Sequence, residues 1–356
     1  MNVDFGAQLD KVHQNELVEL HRQLCASFTG NTDSSRSLKW ARLNPILIMH
    51  RRRLGRRVDE LLKDQIRRKF EEKQRSRELT DTKKDRSILT LSLQDVDHLD
   101  ARFLDQTSDQ LRTFLFAGND TTNIVLQWAL YEISLTPRVQ DALRCEMDEI
   151  FGVDSSLTTV RDMLCAAQGK DLLSRMSYTT AVTKEVLRLH PPVGTARYMP
   201  RGSGITVQLP DDEKGAGRTI CLDGMNVYNC PTIIHRDESI YGATKDDFIP
   251  ERWLDSASTS QIPTTAWRPF ERGPRNCVGQ ELAMLEARVI LAFAVRQFDC
   301  EKVGLGAPVC DHRGKKILNE KGQYEVTTPL YNVSTLSHLH GVMLAASLLT
   351  WCSVCR

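Results

Sequence analysis

The stretch WRPFERGPRNCVGQELAML, residues 267–285, sets one cysteine between a glycine-rich basic loop and the start of an apolar helix. Gly273 and Pro274 predict a tight turn, and the pattern from Gln280 to Phe293 predicts a helix. A thiol just ahead of a helix N-terminus meets the positive end of the helix dipole and unpaired backbone N–H groups, and both favour a thiolate. Arg275, two residues away, adds positive charge, and Gly279 removes a side chain where something flat and bulky can press on the backbone. For a lone cysteine the ordinary reading is a buried thiol in a helix N-terminal loop. Here five fixed positions in ten residues, Phe270-x-x-Gly273-x-Arg275-x-Cys277-x-Gly279, argue against a chance match.

Other residues carry chemistry at telling spacings. AGNDTT, Ala117–Thr122, lies midway along a helix expected over Asp105–Leu135. Gly118 in mid-helix costs up to about 1 kcal/mol relative to alanine. Asp120 and Thr121 set an acid beside an alcohol, and the flanks FLFAG and IVLQWAL are apolar, so this helix is expected to be buried. Polar groups in a buried helix need partners or a job. In KEVLRLHPP, Glu185 and Arg188 are three apart on one helix face, an ordinary ion pair worth little by itself. HRDESIYG, from His235, invites a metal or general-base reading. So do His338, His340, Cys352 and Cys355, although the apolar stretch between them argues against zinc.

Helices must position these groups. Glu16–Phe28 is expected to be one, with Leu17, Leu20 and Leu24 on one face, followed by a polar break, GNTDSSRS. A long amphipathic helix is expected from about Ile48 to Arg77, with Leu54, Val58, Leu61, Leu62, Ile66 and Phe70 at helical spacing. Its other face is rich in Arg and Lys without interleaved aromatic residues, which predicts a solvated face and no nucleic-acid partner. RELTDTKKDRS reads as a linker. Further helices are expected over Asp105–Leu135, stopped by Pro137, over Val139–Ile150, and over Met176–Leu189, ending at HPP where two prolines forbid continuation. Beyond Pro192, the short β-type runs GITVQL, RTICL and MNVYNC alternate with turns. The fold class is therefore mainly α with a small β region, without internal repeats.

The 356 residues suffice for one large or two ordinary domains, and a net charge of +1 offers no global field for nucleic acid or lipid. Ten scattered cysteines do not form a disulfide framework, and most are expected to be reduced and buried. The opening MNVDFGAQLDKVHQNELVELH does not carry the pattern expected of a signal peptide or anchor, and GVMLAASLLTWCSV is short of the about 20 residues of a membrane span. On these grounds the chain as it stands is expected to be cytoplasmic or peripheral to a membrane.

The run around Cys277 resembles the haem-binding loop of the cytochrome P-450 family, the haem-thiolate monooxygenases. The resemblance implies that Cys277 is the axial ligand of the iron of haem b, that Arg275 pairs with a haem propionate, and that Phe270 packs beside the sulfur. Gly279 then leaves room for the macrocycle, and Arg197, in GTARYMP, is implied as another propionate partner. AGNDTT resembles the family's oxygen-activating groove. Gly118 is implied to make room for dioxygen, Thr121 to hydrogen-bond it, and Asp120 to feed protons through water. Glu185 and Arg188 match the family's Glu-x-x-Arg pair. FIPERW supplies Arg252 as a third member, and these three are implied to brace the cysteine loop rather than to react. HRDESIYG resembles a family loop of structural role.

The match runs from about Phe5 to Tyr331, with residues 1–337 as a partial P-450 domain and 338–356 as an atypical apolar tail. By this resemblance the chain is expected to open near the family's fifth or sixth helix, after the segment that supplies an anchor and lid in full-length relatives of the endoplasmic reticulum membrane. The implied reaction inserts one oxygen atom from O2 into a lipophilic organic substrate. Phrases such as FERGPRNCVGQELA and KILNEKGQYEV lean toward fungal secondary metabolism. Electrons are implied to come from NADPH through a separate NADPH–cytochrome P-450 reductase, since no nicotinamide or flavin fingerprint is present. Two other readings stand beside this one. The first is a haem-thiolate isomerase, dehydratase or peroxygenase, against which the intact Asp120–Thr121 pair argues. The second is an inactive fragment that does not bind haem.

Overall fold

Apolar residues three and four apart drive the first group of helices together. The computed structural model describes residues 13–29, 44–78, 87–153, 156–209, 217–328 and 330, which form two compact units, 1–120 and 121–356. In the first, Glu16–Thr29 (α1) and Pro45–Glu78 (α2) are followed by the short Ile88–Ser92 (α3) and the start of Ala101–Leu135 (α4). Val58, Leu62 and Ile66, spaced by four along α2, are fully buried against Leu17 of α1, Leu89 and Leu93 at α3, and Leu104 and Leu111 of α4. Each such side chain contributes about 1.5–3 kcal/mol on burial. Ser87 caps α3, its hydroxyl accepting the Thr90 N–H at 3.2 Å. The outer face of α2 is solvated and ion-paired, as its composition predicts: Arg57 holds both oxygens of Glu16 at 2.8 Å, and Lys63 bridges Asp59 and Asp105.

The second unit begins within α4. That helix stops at Leu135 because Pro137 opens the next one, Pro137–Phe151 (α5); the freed Leu135 carbonyl accepts the Tyr324 N–H at 2.8 Å. Leu157–Cys165 (α6), Gly169–Arg175 (α7) and Ser177–Leu189 (α8) follow. Four short strands come next: Thr195–Tyr198 (β1), Thr206–Gln208 (β2), Thr219–Cys221 (β3) and Asn226–Asn229 (β4). They make two antiparallel pairs, β1 with β4 and β2 with β3. Thr195 lies opposite Asn229 and Arg197 opposite Val227. Gly194 enters β1 where a Cβ would lie 2.1 Å from the Tyr228 hydroxyl oxygen and 3.0 Å from the Asn229 carbonyl oxygen, so a side chain here would require the Tyr228 ring to move. After Pro231–Ile234 (α9), Glu238–Tyr241 (α10) and Ser256–Gln261 (α11), the long Gln280–Gln297 (α12) packs Leu291, Ala292 and Val295 into a core shared with Trp128, Ile133, Leu143, Met147, Val182 and Val186. The fold is mainly helical with a small β region. No helix among the described residues is long and apolar enough to cross a membrane.

Three expectations change. The helix around AGNDTT is not buried on both sides: Phe114 and Phe116 are exposed, as are Ala117 and Gly118, whereas Ile124, Val125 and Trp128 are buried. Leu111 and Leu115 take the face of α4 that meets the leucine cluster. At about 100° per residue, Phe114 and Phe116 flank Leu115 on either side and miss that cluster. Second, the eight described cysteines form no disulfide, but none is buried, and Cys145, Cys165, Cys221, Cys277 and Cys310 are exposed. Cys145 shows why: Leu143 and Met147 hold the buried face of α5, and a residue between them must point away. Third, β1 was not expected as a strand, and α3, α6, α7, α9, α10 and α11 are additional short helices. The polar break 30–37, most of the linker, and the tail with His338, His340, Cys352 and Cys355 lie outside the described residues.

Candidate functional site

Cys277 sits in a loop built by its own backbone. Its N–H donates to the Phe270 carbonyl at 2.8 Å, Asn276 N–H donates to Gly273 O at 3.1 Å, and Gly273 turns the chain at φ 83°. Gly279 caps α12, and a Cβ there would stand 3.8 Å from the Cys277 sulfur. The thiol is exposed, just ahead of the N–H groups that open α12. Arg275 is exposed beside it. Phe270 is half-buried against the core, its ring 6.3 Å from that of Trp267.

Behind the loop lies an almost wholly buried polar network. The Glu185 and Arg188 side chains have no exposed surface, and that of Arg252 is 11% exposed. Glu185 accepts five hydrogen bonds: two from the Arg188 guanidinium at 2.8 and 2.9 Å, and one each from Arg252 Nε at 2.9 Å, Ile249 N–H at 3.1 Å and Trp253 Nε1 at 2.8 Å. The other Arg188 donors reach the carbonyls of His235, Lys245 and Asp247, which satisfies all five of its N–H groups. An uncompensated charge at such depth would be costly, and full pairing is what makes this burial tenable. From here Trp253 meets Trp267, ring centroids 5.7 Å apart, and Trp267 Nε1 donates to Lys184 O at 3.1 Å, so aromatic contacts run from the network to Phe270.

His235 is fully buried and belongs to the same support. Its Nε2 accepts the Arg268 N–H at 3.0 Å and its Nδ1 lies 3.1 Å from Arg188 O. A backbone N–H can only donate, so Nε2 is unprotonated and Nδ1–H donates to Arg188. Burial lowers the His235 pKa to about 4, against the raising effect of its backbone hydrogen bonds. The residue is a neutral clasp rather than a base. Glu271 clamps the other side. Burial pushes its carboxyl up, but hydrogen bonds from Thr195, Arg268 and Asn229 and the Arg268 charge outweigh this and hold it at about 2.

Gly118 and Asp120 belong to the first unit, and Thr121 opens the second. A Cβ at Gly118 would meet nothing within 4 Å. Asp120 accepts the Asn119 side-chain amide at 3.1 Å and, like Thr121, is half-buried. Within the first unit its charge reaches α1, where the Cys25 sulfur is 3.8 Å from both ring nitrogens of His21; burial and Asp120 together push the Cys25 thiol up to about 11. Arg197 is exposed on β1 and donates to Ala196 O at 2.9 Å.

The sequence motifs missed Glu271 and the buried pair of His190 with Glu132, Nε2 to Oε1 at 2.6 Å, with the imidazole stacked 3.9 Å from Trp128. Glu271 occupies a variable position of the cysteine pattern, and its partners are distant in sequence. His190 was visible only as the helix-ending residue of HPP.

The donor set at the loop is one accessible thiol. Among the described residues, no three of His, Cys, Asp and Glu gather as a metal-binding group. A lone soft ligand suits a metal that brings most of its coordination with it, as the iron of a tetrapyrrole does. The comparisons with known proteins agree. The cytochrome P-450 family model matches residues 1–328. Cytochrome P-450 monooxygenase polC of Polytolypa hystricis is 37% identical over 202 residues, 56% of this chain and 34% of that protein. Cytochrome P-450 monooxygenase acrF of Aspergillus aculeatus is 30% identical over 243 residues, 62% of this chain and 47% of its own. A bifunctional cytochrome P-450/NADPH–P-450 reductase of Gibberella moniliformis is 35% identical over 194 residues, 54% of this chain and 15% of its own. The chain spans less than half the length of each of these relatives. With the family model covering nearly all of its length, the chain belongs to the cytochrome P-450 family.

Proposed function

We propose that this chain carries the haem-thiolate site of a monooxygenase that inserts one atom of O2 into a lipophilic organic substrate, in fungal secondary metabolism. The observation that carries the reading is the exposed Cys277 thiol, held by the Phe270 carbonyl ahead of α12 and braced by the buried Glu185–Arg188–Arg252 network. Haem b bound through a thiolate supplies O2 activation, because the thiolate pushes electron density onto the iron. Cys277 provides that thiolate. Arg275 and Arg197 provide cationic partners for propionates, Phe270 shields the sulfur, and Gly279 keeps the backbone open to the macrocycle. On α4, Gly118 leaves space, the Thr121 hydroxyl orients a hydrogen bond, and Asp120 holds and passes protons.

Electrons come from an NADPH–cytochrome P-450 reductase. The relative in which the two activities share one name supports this, and we place the whole enzyme at the endoplasmic reticulum membrane. The fungal lean rests on the relatives polC and acrF. The test is the carbon-monoxide difference spectrum of the reduced protein. A thiolate-type Soret shift is expected for the wild type and its loss in Cys277→Ala. A Cys277→Ala protein that keeps the thiolate-type spectrum would refute the ligand assignment, and a wild type that takes up no haem would refute the function.

A further inference from the structure

Glu271 is the one non-glycine residue at positive φ among those described, at 57°. An L-residue with a Cβ disfavours this region, and such a conformation persists only where its surroundings over-determine it. Here the carboxylate does so. It accepts from the Thr195 hydroxyl at 2.7 Å, from the Asn229 side-chain amide, from Arg268 Nη2 at 2.7 Å, and from the Arg272 N–H at 3.3 Å. Thr195 and Asn229 are direct partners across β1 and β4. One carboxylate therefore closes on a single register pair of the sheet while its own backbone forms the loop. Arg268 is held twice, by Glu271 through its side chain and by His235 through its N–H. Phe270, next to Glu271, supplies the carbonyl that receives the Cys277 N–H.

We propose that Glu271 is a positioning residue that locks the Cys277 loop onto the β1–β4 sheet, so that Phe270, Arg275 and Cys277 on the loop and Arg197 on β1 address one bound group in a fixed mutual frame. The inference rests on the haem reading for the identity of that group, and on the sheet and loop contacts for the lock itself. Arg197 lies two residues along β1 from Thr195, and Cys277 six along the loop from Glu271. A change in how the carboxylate holds Thr195 shifts one relative to the other. The loop pattern leaves this position open, so the lock is a property of this chain's own residues.

The experiment compares Glu271→Gly, Glu271→Ala and Glu271→Gln in the full chain. Glycine relieves the positive φ while deleting the clamp, so loss of function in that variant does not arise from backbone strain. Glutamine keeps the acceptor for Thr195 without the charge for Arg268. Two readouts are taken: the reduced carbon-monoxide spectrum after haem loading, and the alkylation rate of Cys277 in the haem-free chain by mass spectrometry, with the exposed Cys145 and Cys165 as internal standards. The thiolate-type fraction is expected to fall at least twofold in Glu271→Gly and Glu271→Ala, with partial rescue in Glu271→Gln. Cys277 alkylation is expected to change at least threefold while both standards stay constant. An undiminished thiolate-type fraction in Glu271→Gly overturns the proposal whatever the alkylation shows. If the wild type takes up no haem, the haem reading fails separately and alkylation decides the lock: a rate within threefold of wild type in Glu271→Gly overturns it.

Discussion

Arg268 donates its backbone N–H to Nε2 of His235 at 3.0 Å, and that bond fixes both the tautomer and the charge of a fully buried imidazole. Protonation at Nε2 would set two donors against each other and bring an unpaired charge into the core. The folded pKa of about 4 lies below the ordinary 6.5, so the unfolded chain binds the extra proton first as pH falls. Stability from this group is complete above about pH 6.5 and is lost as pH falls toward and through 4. The full effect is about 3 kcal/mol, with a slope of at most about 1.4 kcal/mol per pH unit. Glu271, held at about 2, keeps its stabilisation above the ordinary glutamate range near 4.5 and loses it only as pH falls toward 2. Burial also lowers the His190 pKa, so the measurement must be a difference. Urea titrations of wild type and His235→Gln between pH 7 and 4 are expected to show a shallower pH dependence in the variant; parallel curves would remove His235 as the cause.

Glu185→Ala tests the buried network. Exposed pairs three apart on a helix contribute about 0–1 kcal/mol. This carboxylate is fully enclosed and accepts from Arg188, Arg252, Trp253 and Ile249, so its removal strands a guanidinium without exposed surface. The expected loss is about 3–5 kcal/mol in a denaturant titration. A loss below about 1 kcal/mol would show that water or a rearranged Arg188 takes over.

What was legible in the sequence was local. Periodicity placed α2, α4, α5, α8 and α12, because a helix that buries one face must repeat its leucines every three or four residues, and the prolines at 137 and 191 marked ends that sterics enforce. The cysteine loop was legible for the same reason, with its glycine, arginine and thiol lying within ten residues. The spacing of Glu185 and Arg188 was visible, but not that both are fully buried. Burial is decided by Trp253, Ile249 and the carbonyls of Lys245 and Asp247, some sixty residues away. Glu271 was invisible because a surface loop rich in charge is the ordinary place for a glutamate; only its positive φ and its grip on Thr195 and Asn229 distinguish it. Phe114 and Phe116 misled, since apolar residues were read as buried without asking which face of α4 the leucine cluster occupies.

Thr121→Ala is expected to leave haem binding intact while lowering the coupling of NADPH oxidation to product, with hydrogen peroxide making up the difference, because Thr121 lies on α4 in the motif proposed to deliver protons and outside the Cys277 loop. The measurement is product and peroxide per NADPH in the presence of a reductase. A loss of about 10²-fold or more in product formation matches the typical scale of general acid–base assistance. Unchanged coupling would exclude the hydroxyl from proton delivery.

Gly194→Ala tests how closely β1 must approach β4. The added Cβ would lie 2.1 Å from the Tyr228 hydroxyl oxygen and 3.0 Å from the Asn229 carbonyl oxygen. The tyrosine ring can swing, since it is exposed, but the Asn229 carbonyl is backbone of a strand residue in register with Thr195. Overpacking of this kind costs about 1–3 kcal/mol. Part of that cost should vanish when Tyr228→Ala is combined with Gly194→Ala, leaving what the backbone contact imposes. Because Thr195 is the next residue and donates to Glu271, the single substitution should also disturb the Cys277 loop from the sheet side. Thermal denaturation of the two single variants and the double variant measures the coupling. Strictly additive losses would mean that Tyr228 is not what forbids a side chain at position 194.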